Sequence, residues 1–126
     1  MSIPKDYFYT KEHEWLCVEK NNVARVGITD FAQKSLGDIT YLELPKKGDT
    51  VTKSKTFGVV ESVKAVSDLY SPVTGKVVDV NILLLNSPEK INLSPYEEAW
   101  MLKVEYQNLN LDELLTPEKY IKLIES

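Results

Sequence analysis

A chain of 126 residues, 43% hydrophobic and 27% charged, has the make-up of one folded domain spanning residues 1–126, because chains split into separate cores only well above this length. The 15 basic and 19 acidic residues leave a net charge of −4, and all the basic residues but Arg25 are lysines. That balance argues against nucleic acid, which calls for a basic face rich in forked guanidinium groups, and against anionic membrane surfaces.

The longest apolar run, Ile82-Leu83-Leu84-Leu85, is too short to span a bilayer, and residues 1–6 hold no apolar stretch of signal-peptide length. The expected location is the cytoplasm, or a mitochondrial matrix if a transit peptide is missing from this sequence. The single cysteine, Cys17, excludes an internal disulfide, a Cys-x-x-Cys redox pair and a cysteine-based zinc site. A single histidine, His13, excludes the usual multi-histidine metal sites, and no glycine-rich phosphate loop is present. Any reaction involving this protein is therefore expected to use a group it carries, not its own side chains.

Residues 14–19 alternate polar and apolar, as a half-buried strand does. Asn21-Asn22 turns the chain into residues 23–28, and the two runs read as a hairpin. Thr29-Asp30 caps a short helix reaching Leu36, with Phe31, Ala32 and Leu36 on one side and Gly37 ending it. Residues 38–44 resume alternation through Ile39, Tyr41 or Leu42, and Leu44, and residues 45–49 form a turn. Strands follow around residues 56–60, 75–82 and 99–106. Residues 111–115 have helical spacing, and Thr116 and Pro117 then open a helix whose Tyr120, Leu123 and Ile124 face the sheets. Gly48-Asp49-Thr50-Val51 and Gly75-Lys76-Val77-Val78 share Gly and Val positions on either side of residues 61–68, which suggests a pseudo-twofold β-fold. The expected fold class is mainly β, a small sandwich or barrel with short helices and a C-terminal helix.

The informative stretch is Gly58-Val59-Val60-Glu61-Ser62-Val63-Lys64-Ala65-Val66-Ser67-Asp68, followed by Ser71-Pro72-Val73-Thr74-Gly75. The apolar run ends at Glu61-Ser62, and small or polar residues follow Lys64, which places that lysine near the exposed tip of a hairpin. On composition alone Lys64 is one more solvated lysine among fourteen.

Glu-Ser-Val-Lys-Ala with Ser-Asp three residues beyond the lysine, then Ser-Pro-x-x-Gly, resembles the lipoyl-attachment region of the glycine cleavage system H proteins. The likeness extends through His13-Glu14-Trp15, Val26-Gly27-Ile28-Thr29, Leu36-Gly37-Asp38, Glu43-Leu44-Pro45, Gly48-Asp49, Asn92, Ser94-Pro95-Tyr96 and Trp100. The resemblance implies a lipoyl-type β-sandwich (a barrel-sandwich hybrid) with lipoate in amide linkage on Lys64. The implied function is that of a non-catalytic carrier. It would take the aminomethyl group of glycine from a pyridoxal phosphate-dependent glycine decarboxylase to a tetrahydrofolate-dependent aminomethyltransferase. Its electrons would pass to the flavoprotein dihydrolipoamide dehydrogenase. Glu61, Ser62, Val63, Ala65, Asp68 and Gly75 then supply turn geometry and the features that lipoylating enzymes recognise, with Asp68 read as a turn-forming side chain.

By the same resemblance His13, Glu14 and Trp15 line a cleft for the loaded arm, with Glu14 pairing its cationic amine. The competing reading of Glu14 is a solvated strand residue, and the sequence does not separate the two. His13 is read as making a local hydrogen bond, and Cys17, Tyr96 and Trp100 as packing residues. A lipoyl domain of a 2-oxo acid dehydrogenase fits less well, since Val63 precedes the lysine and no Ala/Pro-rich linker is present. A biotin carrier would want methionines flanking the lysine. A relay that hands lipoyl or octanoyl groups to other enzymes would use the same Lys64 and stays open. A monomer is expected, because one arm must visit several active sites.

Overall fold

The computed structural model describes residues 3–126; Met1 and Ser2, with which the N-terminal reading begins, lie outside the described residues. Nine strands are present among them: β1 (Phe8–Tyr9), β2 (Glu14–Val18), β3 (Val23–Ile28), β4 (Ile39–Glu43), β5 (Thr50–Val51), β6 (Thr56–Ser62), β7 (Val66–Tyr70), β8 (Gly75–Val80) and β9 (Leu102–Glu105). Helices α1 (Asp30–Leu36), α2 (Ile82–Asn86), α3 (Lys90–Leu93) and α4 (Pro117–Glu125) and a single 3-10 turn, Leu111–Glu113, complete the chain. The strands form two antiparallel sheets, a six-stranded one in the order β1-β2-β3-β9-β8-β5 and a three-stranded one in the order β4-β6-β7. The fold is mainly β, as the sequence led one to expect.

One core draws Leu16, Val26, Val77 and Val104 from the large sheet and Leu42, Val60 and Leu69 from the small one. A second, aromatic cluster of Ile3, Tyr9, Trp15 and Tyr120 sits on the opposite face of β2, where α4 packs. This explains the first departure from expectation. Residues 14–16 are all buried, because both faces of β2 are covered, so the strand is not half-buried along that stretch.

Local chemistry sets the element ends. Asn21 and Asn22 both take left-handed backbone, with φ of 62° and 58°, which asparagine tolerates better than most residues. Thr29 caps α1 by accepting from the Ala32 N–H at 3.2 Å, and Gly37, at φ 79°, ends it. A bulge between Ile39 and Tyr41 resolves the choice between Tyr41 and Leu42: it turns Leu42 inward and leaves Tyr41 outside. Strand β8 ends at Val80, two residues short of the expected limit. There the Asn81 amide donates to the carbonyls of Glu98 and Trp100 and draws the chain into α2 at Ile82. Strand β9 begins only at Leu102, and of residues 111–115 only the 3-10 turn is helical.

Thr116 caps α4 through the Lys119 N–H, with Pro117 in its first turn, as read from the sequence. Tyr120 is buried and stacks on Tyr9 at 4.7 Å between ring centroids. Leu123 does not join it. Its exposure is 37%, and Ile121 packs with Ile124 instead. The two similar segments at residues 48–51 and 75–78 meet as antiparallel partners, Thr50 opposite Lys76 and Val51 opposite Gly75.

Candidate functional site

Strands β6 and β7 form a hairpin whose tip is Val63-Lys64-Ala65. Ser62 shapes that tip. Its N–H donates to the Ala65 carbonyl at 2.8 Å, and its Oγ accepts from the N–H groups of Lys64 and Ala65 at 3.3 and 3.1 Å. The Val63 N–H donates to the Asp38 carbonyl at 3.1 Å, which ties the tip to the end of α1. Asn92 on α3 braces the same region. Its side chain accepts from the Ile39 N–H and donates to the Gly37 carbonyl and to Gln33 Oε1, each at 2.9 Å. A Cβ at Gly37 would lie 3.6 Å from Lys64 Cε, so the stem of the lysine passes over this glycine. The result is an exposed amine on a backbone held from three sides. Below it, Glu61 sits between Tyr41 and Val66 across the three strands.

Glu14 lies at the other end of β7. The side chain shares the inward face of β2 with Leu16 and is 2% exposed. Its Oε1 accepts from Thr10 Oγ1 at 2.6 Å and its Oε2 from the Tyr70 N–H at 3.3 Å. Thr10 Oγ1 in turn accepts from the Glu14 N–H at 3.1 Å, so the carboxylate is locked in a small ring. Burial pushes its pKa up to about 7, against the lowering effect of the two hydrogen bonds. A hollow of about 290 Å³ is lined by Glu12, Ser54 and Tyr70, whose N–H donates to Glu14, while Glu14 itself does not line it. Tyr70 is five residues along from Ala65, roughly 16 Å at the rise of a strand, so only a long arm on Lys64 could reach this carboxylate. A larger hollow, about 680 Å³ and lined by residues including Asn21, Lys76 and Tyr106, includes no residue of the Lys64 turn.

Comparison with known proteins decides what this arrangement belongs to. The sequence profile of the family described as "Glycine cleavage H-protein" matches residues 7–126. The chain is 57% identical over 124 residues to the "Glycine cleavage system H protein" of Carboxydothermus hydrogenoformans, covering 98% of this chain and 95% of the relative. It is 52% identical over 125 residues to that of Staphylococcus epidermidis, covering 98% of each. The crystal structure of a glycine cleavage system H protein from Mycobacterium marinum superposes with a TM-score of 0.92 at 36% identity, covering 98% of this chain and 100% of that one. The chain belongs to the glycine cleavage H-protein family.

Within this H-protein fold the residues singled out from the sequence divide into two groups. Lys64, Ser62, Val63, Ala65 and Glu61 come together at the hairpin tip. Asp68 is not a turn residue, since it lies within β7 opposite Val59. Gly75 is not part of the Lys64 turn either. It opens β8 in the other sheet, where a Cβ would run into the Glu105 carbonyl oxygen, so its service is close strand approach. Glu14 is no solvated strand residue, as its burial shows. Trp15 cannot line a cleft. It is fully buried against Gly27, with Nε1 donating to the Pro95 carbonyl at 3.0 Å.

His13 makes the local hydrogen bond expected of it, Nδ1 to the Tyr120 hydroxyl at 2.9 Å. Tyr96 does more than pack, since its hydroxyl accepts from the Asp30 N–H at 3.0 Å. Cys17 is half-buried at the edge of the aromatic cluster. Thr10 and Tyr70, the partners of Glu14, escaped the sequence reading. The sequence signal that joins a threonine to a glutamate is the helix capping box at a spacing of three, whereas Thr10 stands four residues before Glu14 in the loop that leads into β2.

Proposed function

We propose that this chain, folded as a single unit over residues 1–126, is the lipoyl carrier of a glycine cleavage system, with lipoate in amide linkage on Lys64. The observation that carries the reading is the setting of Lys64: an exposed amine on a turn braced by Ser62, Asp38 and Asn92, in a member of the H-protein family. The surroundings fit such a group. No side chain of Gly37 crowds the stem of the lysine, and the buried carboxyl of Glu14, bonded to Tyr70 of a nearby hollow, lies an arm's length away. When bound, lipoate supplies the disulfide–dithiol chemistry that this chain, with its lone Cys17, lacks.

The protein's own residues do the rest. Ser62 and Val63 hold the amide end fixed, so that the arm swings from a defined point. Glu14 receives the cationic amine of the aminomethyl load. A carboxyl half ionised near neutrality becomes fully charged when a cation sits beside it, which favours the pair. The partners are a pyridoxal phosphate-dependent glycine decarboxylase, a tetrahydrofolate-dependent aminomethyltransferase, dihydrolipoamide dehydrogenase and the lipoylating enzymes. The chain is a non-catalytic monomer that works in the cytoplasm; no helix among the described residues is long and apolar enough to cross a membrane.

Intact-mass measurement and peptide mapping of the protein from its native host test the assignment. Lys64 should carry a single lipoyl group, and Lys64→Arg should carry none while keeping its folded circular-dichroism signal. Lipoate found on another lysine, with Lys64 free, would overturn it.

A further inference from the structure

The β6–β7 ladder leaves one edge open beside Lys64. The Ser62 N–H bond to Ala65 sets its phase, so the Val60–Ser67 rung exchanges hydrogen bonds, while Val66 and Asp68 turn their N–H and C=O groups away from β6. Strand β7 is the edge of its sheet, and among the described residues no strand lies beyond it. At the third outward position, Tyr70, the N–H is taken by Glu14. At the two positions nearest Lys64 the only approach is from Ser67 Oγ to the Asp68 carbonyl, at 3.4 Å. Exposed edges are ordinarily blunted by charges. Here Asp68 is the one charge at the two open positions, and the apolar Val63 and Val66, on either side of Lys64-Ala65, are 69% and 68% exposed.

We infer that the open edge at Val66 and Asp68 is the docking strip for the enzyme that acylates Lys64, which lays an extended segment of its own chain against β7. The inference rests on the reading of Lys64 as the attachment site. The occupant follows from reach. Enzymes that act on the far end of a loaded arm can stand off from the hairpin. The acylating enzyme must bring its active site within one lysine side chain of the tip, directly beside these two rungs. Backbone pairing gives such an enzyme a way to find one lysine among fourteen without a unique side chain, because Lys64 adjoins two open rungs with exposed valines beside them. The exposed valines are then covered on docking.

The test compares Asp68→Pro with Asp68→Ala as substrates of a lipoate ligase supplied with lipoate and ATP. Both variants lack the carboxylate, and only the proline lacks the outward N–H. Proline is tolerated on an edge strand where its missing donor faces solvent. The expected result is a loss of at least tenfold in kcat/KM for Asp68→Pro relative to Asp68→Ala, with both showing native circular dichroism. Equal rates would overturn the inference.

Hydrogen exchange gives an answer even if the proline variant fails to fold. In the Lys64→Arg chain saturated with the ligase, the Val66 and Asp68 amides should exchange at least tenfold more slowly than in the free chain. Unchanged exchange in a complex verified by sedimentation would likewise reject the docking strip. Wild-type protein run alongside keeps the two readings apart. If it is not acylated on Lys64, the attachment site itself is wrong. If it is, and the proline variant reacts as fast as the alanine variant, only the docking strip is lost.

Discussion

Glu14 and His13 are adjacent, both buried to some degree, and their titrations push stability in opposite directions. Burial holds the Glu14 carboxyl at about 7, above its ordinary 4.5, so the folded state keeps a proton that the unfolded chain has already released. Stability from this group is therefore fully present below about pH 4.5 and is lost as the pH rises toward 7. At about 1.4 kcal/mol per unit the loss is on the order of 3 kcal/mol. For His13 burial lowers the pKa, so protonation costs the folded state more than the unfolded one, and stability from this group rises as the pH climbs toward its ordinary value and is fully present above it. The wild-type profile is the sum and hides both. Glu14→Gln keeps an acceptor for Thr10 and Tyr70 and removes the charge. Urea denaturation of this variant should show a gain over wild type at about pH 8 that shrinks near pH 5. A constant difference at the two pH values would mean that Glu14 is not the titrating group.

At the scale of elements, one hydroxyl adds a polar anchor to the apolar packing of α4. The Tyr120 OH lies 2.9 Å from His13 Nδ1 and 2.7 Å from Thr29 Oγ1, and Thr29 is itself the cap of α1. The C-terminal helix, the loop before β2 and the start of α1 thus share a single polar junction within the aromatic cluster. Tyr120→Phe takes one partner from the buried Thr29 hydroxyl and one from His13, and should cost about 1–3 kcal/mol, more than most truncations elsewhere on this helix. A change in denaturation midpoint no larger than that of an exposed α4 substitution such as Lys122→Ala would refute the junction. The approach of β8 to β9 makes a second prediction. A methyl group at Gly75 would be driven into the Glu105 carbonyl and Val104, both of which are fixed by the ladder. Gly75→Ala should therefore lose roughly 1–3 kcal/mol by overpacking. Its thermal unfolding, compared with that of wild type, tests whether the glycine serves the sheet.

For the whole molecule, the proposed shuttling of one arm among several enzymes requires complexes that form and part quickly. Interfaces with each partner should be near or below the usual 1,600 Å² or so of buried surface, with exchange faster than turnover. Sedimentation should find a monomer alone, and mixing with the decarboxylase should give a fast, concentration-dependent equilibrium. A fixed assembly holding every partner at nanomolar affinity would contradict the shuttle.

The order of residues was enough to place the mainly β fold, the α1 and α4 caps and the lysine turn. Those depend on short-range preferences, such as Thr29 and Thr116 at helix starts, Asn21-Asn22 in left-handed backbone and small residues around Lys64. The family likeness added the attachment role. What the sequence left undecided was set by contacts between segments far apart in the chain. Glu14 stayed balanced between a cleft carboxylate and a solvated strand residue, because its burial depends on Tyr70, 56 residues away, and on the sheet that carries it. Trp15 looked free to line a cleft until Gly27 and Pro95 were seen to enclose it. The open edge of β7 follows from which strands pair, and pairing is a property of the assembled sheet that no local run of residues encodes.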